Sequence, residues 1–251
     1  MKITILQTDT VWANPAANVA TAERLLQQAP GADLYVLPEM WATGFATEPH
    51  DIAETTDSIA LKWMQQTAAD CQCALSGSLL IKTQAGLFRN RHFFVTPEKT
   101  TFYDKHHLFT YGHEDRHITA GDNRVIVSFQ GRQFLLLTCY DLRFPVWARY
   151  GVAGNYDAII LTANWPERRQ QAWRVLTHAR AIENQCYLIG CNRVGSDHFC
   201  HSVGESLVCG PKGETLLELG HEEAAKTVEL DFAALDAVRS RFRVLDDRDT
   251  F

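Results

Sequence analysis

Apolar and polar positions along this chain switch between a period of two and a period near four, and the switches divide it into elements. Residues 2–11, "KITILQTDTV", read as a strand, and 14–29, "NPAANVATAERLLQQA", as a helix capped by Asn14, with Pro15 in its first turn. Val19, Ala22, Leu25, Leu26 and Ala29 fall on one face of that helix. "DLYVLPE" is an apolar strand stopped by Pro38. The spacing of "SIALKWMQQTAADCQ" predicts another helix, followed by the strands "CALSGSLLIK", "LFRNRHFFVT" and "TTFYDK", with turns at Ala85-Gly86 and Pro97-Glu98.

A second half resembles the first in outline. "VIVSF" and "RQFLLLTC" flank a turn at Gly131, a helix is expected from about Phe144, and "YDAIILTAN", a helix through "AWRVLTHARAIENQ" and the strand "CYLIGCNRV" come next. A hairpin across Lys212-Gly213 joins "ESLVCGP" to "ETLLEL", and "KTVELD" is a last strand. Continuous apolar strands imply burial on both faces, so helix-covered sheets of an α/β domain are predicted, with the two halves stacked sheet on sheet. No low-complexity or Pro/Ser-rich linker interrupts residues 1–251, which read as one domain.

Composition narrows the chemistry. Hydrophobic residues make up 46% of the 251, enough for a sizeable core. A net charge of −6 without a basic aromatic run argues against nucleic acid. No apolar run approaches the roughly 20 residues of a membrane span, and residues 1–10 show no signal-peptide pattern, so a cytoplasmic protein is expected. The seven cysteines are odd in number and irregularly spaced, as expected of reduced thiols. "CQC" and "HFCH" lack the second ligand pair of a zinc site, so no metal is expected.

Ligands of open α/β sheets bind beyond the carboxyl ends of the strands. Three such ends deliver Glu39, Lys105 and Cys139. A thiol at a helix N-terminus with a lysine nearby is expected to have a lowered pKa and to favour the thiolate. Free cysteine also fills core space, which is the reading for Cys186, Cys191 and Cys209; for Cys139, position alone leaves both roles open. Taken singly, Glu39 and Lys105 also read as solvated charges at strand ends. Cysteine hydrolases usually take histidine as base, and His106, His107, His113 and His117 crowd after Lys105, so spacing alone does not choose between Glu39 and a histidine.

The segments "DLYVLPEMWATGF", "YDKHHLFTYGHEDRHITAGD", "LLLTCYDLRFPVWAR" and "ANWPERRQQAWRVLTHARAIENQCYLIGCNRVGSD" resemble, in order, the signature segments of the nitrilase (carbon-nitrogen hydrolase) superfamily, and "CYDLRFPVW" and "ANWP" resemble its bacterial omega-amidase branch. The resemblance implies a four-layer α-β-β-α sandwich with Cys139 as nucleophile, Glu39 as general base, Lys105 as cationic partner and Glu114 as a second glutamate, Asp115 being its neighbour. The histidines then read as loop surface and local hydrogen bonding. No cofactor is implied. The implied substrate is a small 2-oxoacid monoamide, 2-oxoglutaramate or 2-oxosuccinamate; deaminated glutathione is the nearest alternative.

Three further residues are candidates for substrate contact. The Tyr140 backbone N–H, next to the nucleophile, is placed to meet an oxyanion. Arg143 offers a planar fork for a carboxylate, the alternative being a pair with Asp141. Trp165 in "ANWP" is a pocket wall or core packing. A non-catalytic binding protein on the same fold is the reading from another class, against which the intact Glu39, Lys105 and Cys139 argue. Redox sensing needs a resolving cysteine near Cys139, and the nearest along the chain is Cys186. The extension 240–251 sets Phe242, Val244, Leu245 and Phe251 between charges and is expected to dock locally or across a partner subunit of a homodimer.

Overall fold

A computed structural model describes residues 1–152 and 154–249. In chain order its elements are β1 (Lys2–Gln7), α1 (Pro15–Gln28), β2 (Leu34–Val36), α2 (Ile59–Cys71), β3 (Ala74–Lys82), β4 (Phe88–Val95), β5 (Thr100–Asp104), β6 (Ile126–Phe129) and β7 (Arg132–Thr138). Then come α3 (Pro145–Ala148), β8 (Ala158–Ala163), α4 (Gln170–Glu183), β9 (Tyr187–Asn192), β10 (Val194–Ser196), β11 (His201–Val203), β12 (Leu207–Cys209), β13 (Thr215–Glu218), β14 (Ala224–Glu229) and α5 (Phe232–Arg241). Two six-stranded sheets run in the orders β14-β1-β2-β3-β4-β5 and β13-β12-β9-β8-β7-β6, and β10 pairs with β11 apart from them.

Side-chain alternation assigns the layers. Ile3, Ile5, Leu34 and Val36 point from the first sheet into one core shared with Phe134, Leu136, Ile160 and Ile189 of the second. Tyr35, Leu37 and Leu75 point the other way, onto Leu25, Leu26, Leu61 and Met64 of α1 and α2. The second sheet is covered by Trp173 and Ala181 of α4 and by Phe232 and Leu235 of α5, so the layers run helix, sheet, sheet, helix. β7 is apolar without alternation because both its faces are covered; burying each of its leucines is worth roughly 1.5–3 kcal/mol.

Capping follows the sequence where the signals were strong. The Asn14 side chain accepts from the Ala17 N–H, and Ser58 caps α2 through the Leu61 N–H. Four features differ from expectation. The last strand does not stay with the second half: β14 returns to pair antiparallel with β1 and becomes the edge strand of the first sheet. The helix expected from about Phe144 is the single turn α3, preceded by a 3-10 turn at Cys139–Arg143. α5, capped by Asp231, buries only Phe232 and Leu235, a face too narrow to show as periodicity. The hairpin β10–β11 is three residues per strand, too short to carry a pattern. In the C-terminal extension Leu245 is buried against its own chain and Phe242 is exposed; Phe251 lies outside the described residues.

A buried histidine joins the two sheets. His92 of β4 is wholly inaccessible, with Nε2 on Ser76 Oγ at 2.7 Å and Nδ1 on the Leu137 carbonyl of β7 at 3.1 Å. The carbonyl accepts, so Nδ1 carries the proton. Desolvation by burial pushes its pKa down to about 3, and only the Leu137 hydrogen bond and Asp141 oppose this. The unfolded chain therefore takes up a proton near pH 6.5 that the folded chain refuses, and stability present above that pH is lost as pH falls. Denaturant unfolding between pH 6.5 and 5 is expected to show His92 contributing a slope approaching 1.4 kcal/mol per pH unit. His92→Gln should flatten that slope; an unchanged slope would contradict the assignment.

Candidate active site

The carboxyl ends of β2, β5, β7 and β8 meet at one end of the sandwich. Pro38 ends β2 and turns the chain so that the Glu39 N–H donates to the Ala163 carbonyl at the end of β8, 3.3 Å away in the other sheet. Lys105 comes directly after the last residue of β5, and Cys139 directly after β7. The structure brings together the four residues proposed from sequence for chemistry. Glu39, Lys105 and Glu114 are 1% or less exposed and Cys139 is 8% exposed.

One ammonium serves two carboxylates. Lys105 Nζ donates to Glu39 Oε1 and to Glu114 Oε2, both at 2.8 Å. Asn90, a polar position in β4, repeats the bridge: its Nδ2 donates to Glu39 Oε1 at 2.8 Å and to Glu114 Oε1 at 3.0 Å. Its own Oδ1 accepts from Ser78 Oγ at 2.9 Å, which fixes the direction in which the amide points. Glu39 Oε2 accepts from the Asn164 N–H at 2.9 Å, and Glu114 Oε2 from the Phe109 N–H at 2.6 Å. Asp115, the neighbour of Glu114, is exposed and outside this cluster.

Burial alone would drive Lys105 towards the neutral amine, but Glu114 and Glu39 more than offset it and hold its pKa above the usual value. Burial raises Glu114, against the pull of Lys105 and with a push from Glu39. Cys139 departs from expectation. Its thiol is raised well above the usual value, first by burial and then by Glu39, which outweigh Lys105. The lowered thiolate pKa expected from a helix N-terminus is therefore corrected: Cys139 opens a short 3-10 turn with no α-helical macrodipole, and two carboxylates share the one lysine. The resting sulfur keeps its proton, with Glu39 in hydrogen-bonding reach of it.

Three of the eight described non-glycine residues with positive φ adjoin the site. Cys139 has φ +44° and Met40, next to Glu39, also φ +44°, while His113, before Glu114, has φ +62°. Such non-glycine conformations cost of order 1–3 kcal/mol each and persist where the surroundings over-determine them. At Cys139 those surroundings centre on buried Asp141. It accepts from the Thr138 N–H (3.0 Å), Tyr103 OH (2.7 Å), the His107 N–H (3.0 Å) and His107 Nδ1 (2.8 Å). Tyr103 OH in turn accepts from Trp147 Nε1 and the His106 N–H. His106 and His107 stack on Trp147 and Phe144 at 3.7 Å and support the turn.

Above Cys139 opens a cavity of about 290 Å³. Tyr140, Arg143 and Trp165 all line it, as do Phe45, Phe109, Tyr111, His113, His117 and Asn164. Arg143 does not pair with Asp141, whose oxygens are taken; its guanidinium lies 5.0 Å over the Trp165 ring. Trp165 is 2% exposed and fixed by its N–H to Asn192 Oδ1 and its Nε1 to the Arg169 carbonyl, so it is both wall and core. Sequence reasoning missed Asn90 and Asn164, whose signal was faint: single polar residues in or next to otherwise apolar strands. Among the described residues no group of three His, Cys, Asp or Glu is arranged to hold a metal, and no helix is long and apolar enough to cross a membrane.

A family model described as carbon-nitrogen hydrolase matches residues 2–240. The omega-amidase YafV of Escherichia coli K12 is 42% identical, covering 100% of this chain and 98% of its own. The 2-oxoglutaramate amidase of Bacillus subtilis 168 is 32% identical over 98% of this chain and 96% of its own. XC1258 of Xanthomonas campestris, solved with an arsenic adduct in its active site, superimposes with a TM-score of 0.96 at 36% identity, covering 100% of this chain and 98% of its own.

The shared ammonium leads to a measurable expectation. Lys105→Met leaves two carboxylates buried without a counter-charge and should cost about 3–5 kcal/mol at pH 7. The deficit should shrink as pH falls towards 4.5, because protonating one of the pair, raised above its unfolded pKa, removes the repulsion. Urea denaturation at both pH values measures this, and a deficit independent of pH would contradict it.

Proposed function

The chain belongs to the carbon-nitrogen hydrolase family, and on that premise we propose that it is an omega-amidase. It hydrolyses the terminal amide of a small 2-oxoacid monoamide, 2-oxoglutaramate or 2-oxosuccinamate, to the 2-oxoacid and ammonia through a thioester on Cys139. The observation that carries this reading is a thiol at the floor of a small cavity, against a carboxylate that a buried lysine holds in place. Supporting it are the full-length similarities to YafV and to the 2-oxoglutaramate amidase.

In the proposed cycle Glu39 takes the Cys139 proton as sulfur attacks the amide carbon, forming the C–S bond and an oxyanion. A thiol whose pKa is raised is a poor nucleophile until that transfer, so attack waits for a substrate in place. The oxyanion is met by the Tyr140 N–H and by Lys105, whose ammonium has three donors and uses two on Glu39 and Glu114. Collapse breaks the C–N bond, and Glu39 gives its proton to the departing ammonia. Water then attacks the thioester, Glu39 accepts its proton, and breaking the C–S bond returns the proton to sulfur. Glu114 keeps Lys105 aligned throughout. No step calls on a cofactor, and we place the chemistry in the cytoplasm, where reducing conditions keep a thiol free.

Ammonia release across 2-oxoacid amides, glutamine, asparagine, deaminated glutathione and simple nitriles tests the substrate class. A clear preference for the 2-oxoacid amides is expected, and its absence would overturn the reading. Cys139→Ala should lose at least about 10³-fold in kcat with its melting temperature retained, since nucleophile and base act as a unit. Normal ammonia release by that variant would exclude the thioester.

We also propose a homodimer. α4 exposes Val175 (54%) and Ile182 (49%), seven residues apart and so on one helix face, and Phe242 is 67% exposed in the C-terminal segment. Light scattering at micromolar concentration should give twice the chain mass; the monomer mass would refute it.

A further inference from the structure

The proposed cycle leaves part of the cavity wall unused. Four arginines, Arg116, Arg143, Arg168 and Arg169, line the cavity against one carboxylate, Glu48. Such a wall repels cations and draws anions. One of the four is built differently from the rest. The Arg169 guanidinium lies 4.8 Å over the ring of Tyr111 and 5.2 Å over that of Phe109, two neighbouring rings 5.9 Å apart, so it rests against both. Its carbonyl accepts from Trp165 Nε1 at 2.8 Å, which ties its backbone to the wall as well. Among the described residues no carboxylate lies in ion-pair range of it, and its Nη1 is buried without a hydrogen-bond partner.

Leaving a charged donor buried and unpaired is costly, and native structures rarely do so without a ligand, water or ion to answer it. Asn164 repeats the pattern nearer the thiol. Its N–H and carbonyl are turned to Glu39 and Cys139, while its side-chain Nδ2 is buried and unpartnered. The two orphaned polar atoms of the cavity, among the described residues, are thus both N–H donors. Neither atom has accessible surface, so a ligand in the cavity meets the other nitrogens of the Arg169 guanidinium, and one that suits them must bring acceptors and negative charge.

We propose that Arg169 is a specificity-determining residue of this site, its guanidinium binding the carboxylate at the end of the substrate remote from the reacting amide. The proposal rests on the omega-amidase reading above and deepens it. With the amide carbon at Cys139, the rest of a short monoamide extends along the wall, and its carboxylate needs a fork-shaped partner. Arg143, over Trp165, is a second cation on that wall, held against one ring where Arg169 is held against two. Pinning by two rings means that little side-chain entropy is lost on binding.

The test is the ratio of kcat/KM for 2-oxoglutaramate to that for pentanamide, which has the same chain length and no carboxylate. Truncating one partner of a buried charge pair costs enough that Arg169→Gln should lower this ratio about 30-fold or more, chiefly through KM for the acid. Arg169→Lys keeps the charge but not the fork and should fall between the two, which also covers a glutamine variant that fails to fold. A ratio unchanged in both variants, or equal losses on both substrates, would overturn the role of Arg169 and leave the omega-amidase reading standing. A wild-type enzyme with no preference for the acid would overturn that reading, and this proposal with it.

Discussion

The site depends on one buried ammonium held between two carboxylates. Placing Lys105, Glu39 and Glu114 where solvent does not reach costs several kcal/mol per ion, and the mutual attraction offsets it only if the geometry is good and the remaining lone pairs are satisfied. Asn90, the Asn164 N–H and the Phe109 N–H meet that condition. Each comes from a different element, so the cluster forms only when both sheets and the loop after β5 are in place. Without the completed fold this concentration of charge would not be stable.

The same cluster explains why the sulfur rests protonated. Two carboxylates and one ammonium already leave an excess of negative charge, and a thiolate would add to it in a medium that screens poorly. A protonated thiol next to a firmly held carboxylate is the arrangement that proton transfer during attack requires. The strained backbone at Cys139 serves the same end, since the turn braced by Asp141 and Tyr103 exposes the sulfur at the cavity floor instead of in the sheet.

The floor and the wall of the cavity are built from different material. The floor is polar, internally satisfied and nearly inaccessible; the wall is aromatic and arginine-rich and keeps donors unpaired.

The sequence by itself determined the layers and the chemistry-bearing strand ends. Continuous apolar runs such as "LLL" before Cys139 are legible because burial on both faces leaves no other composition, and Asn14 and Ser58 are legible as caps because their hydrogen bonds are local. Glu39, Lys105, Glu114 and Cys139 were recognised through motif order, not through spacing. Only the tertiary structure decided that β14 joins the first sheet, that a 3-10 turn replaces the expected helix, that Asn90 couples the two glutamates, and that the thiol pKa rises. Each of these depends on groups far apart in the chain meeting at distances of a few ångströms, where burial and net charge act together. No local pattern of residues encodes that sum.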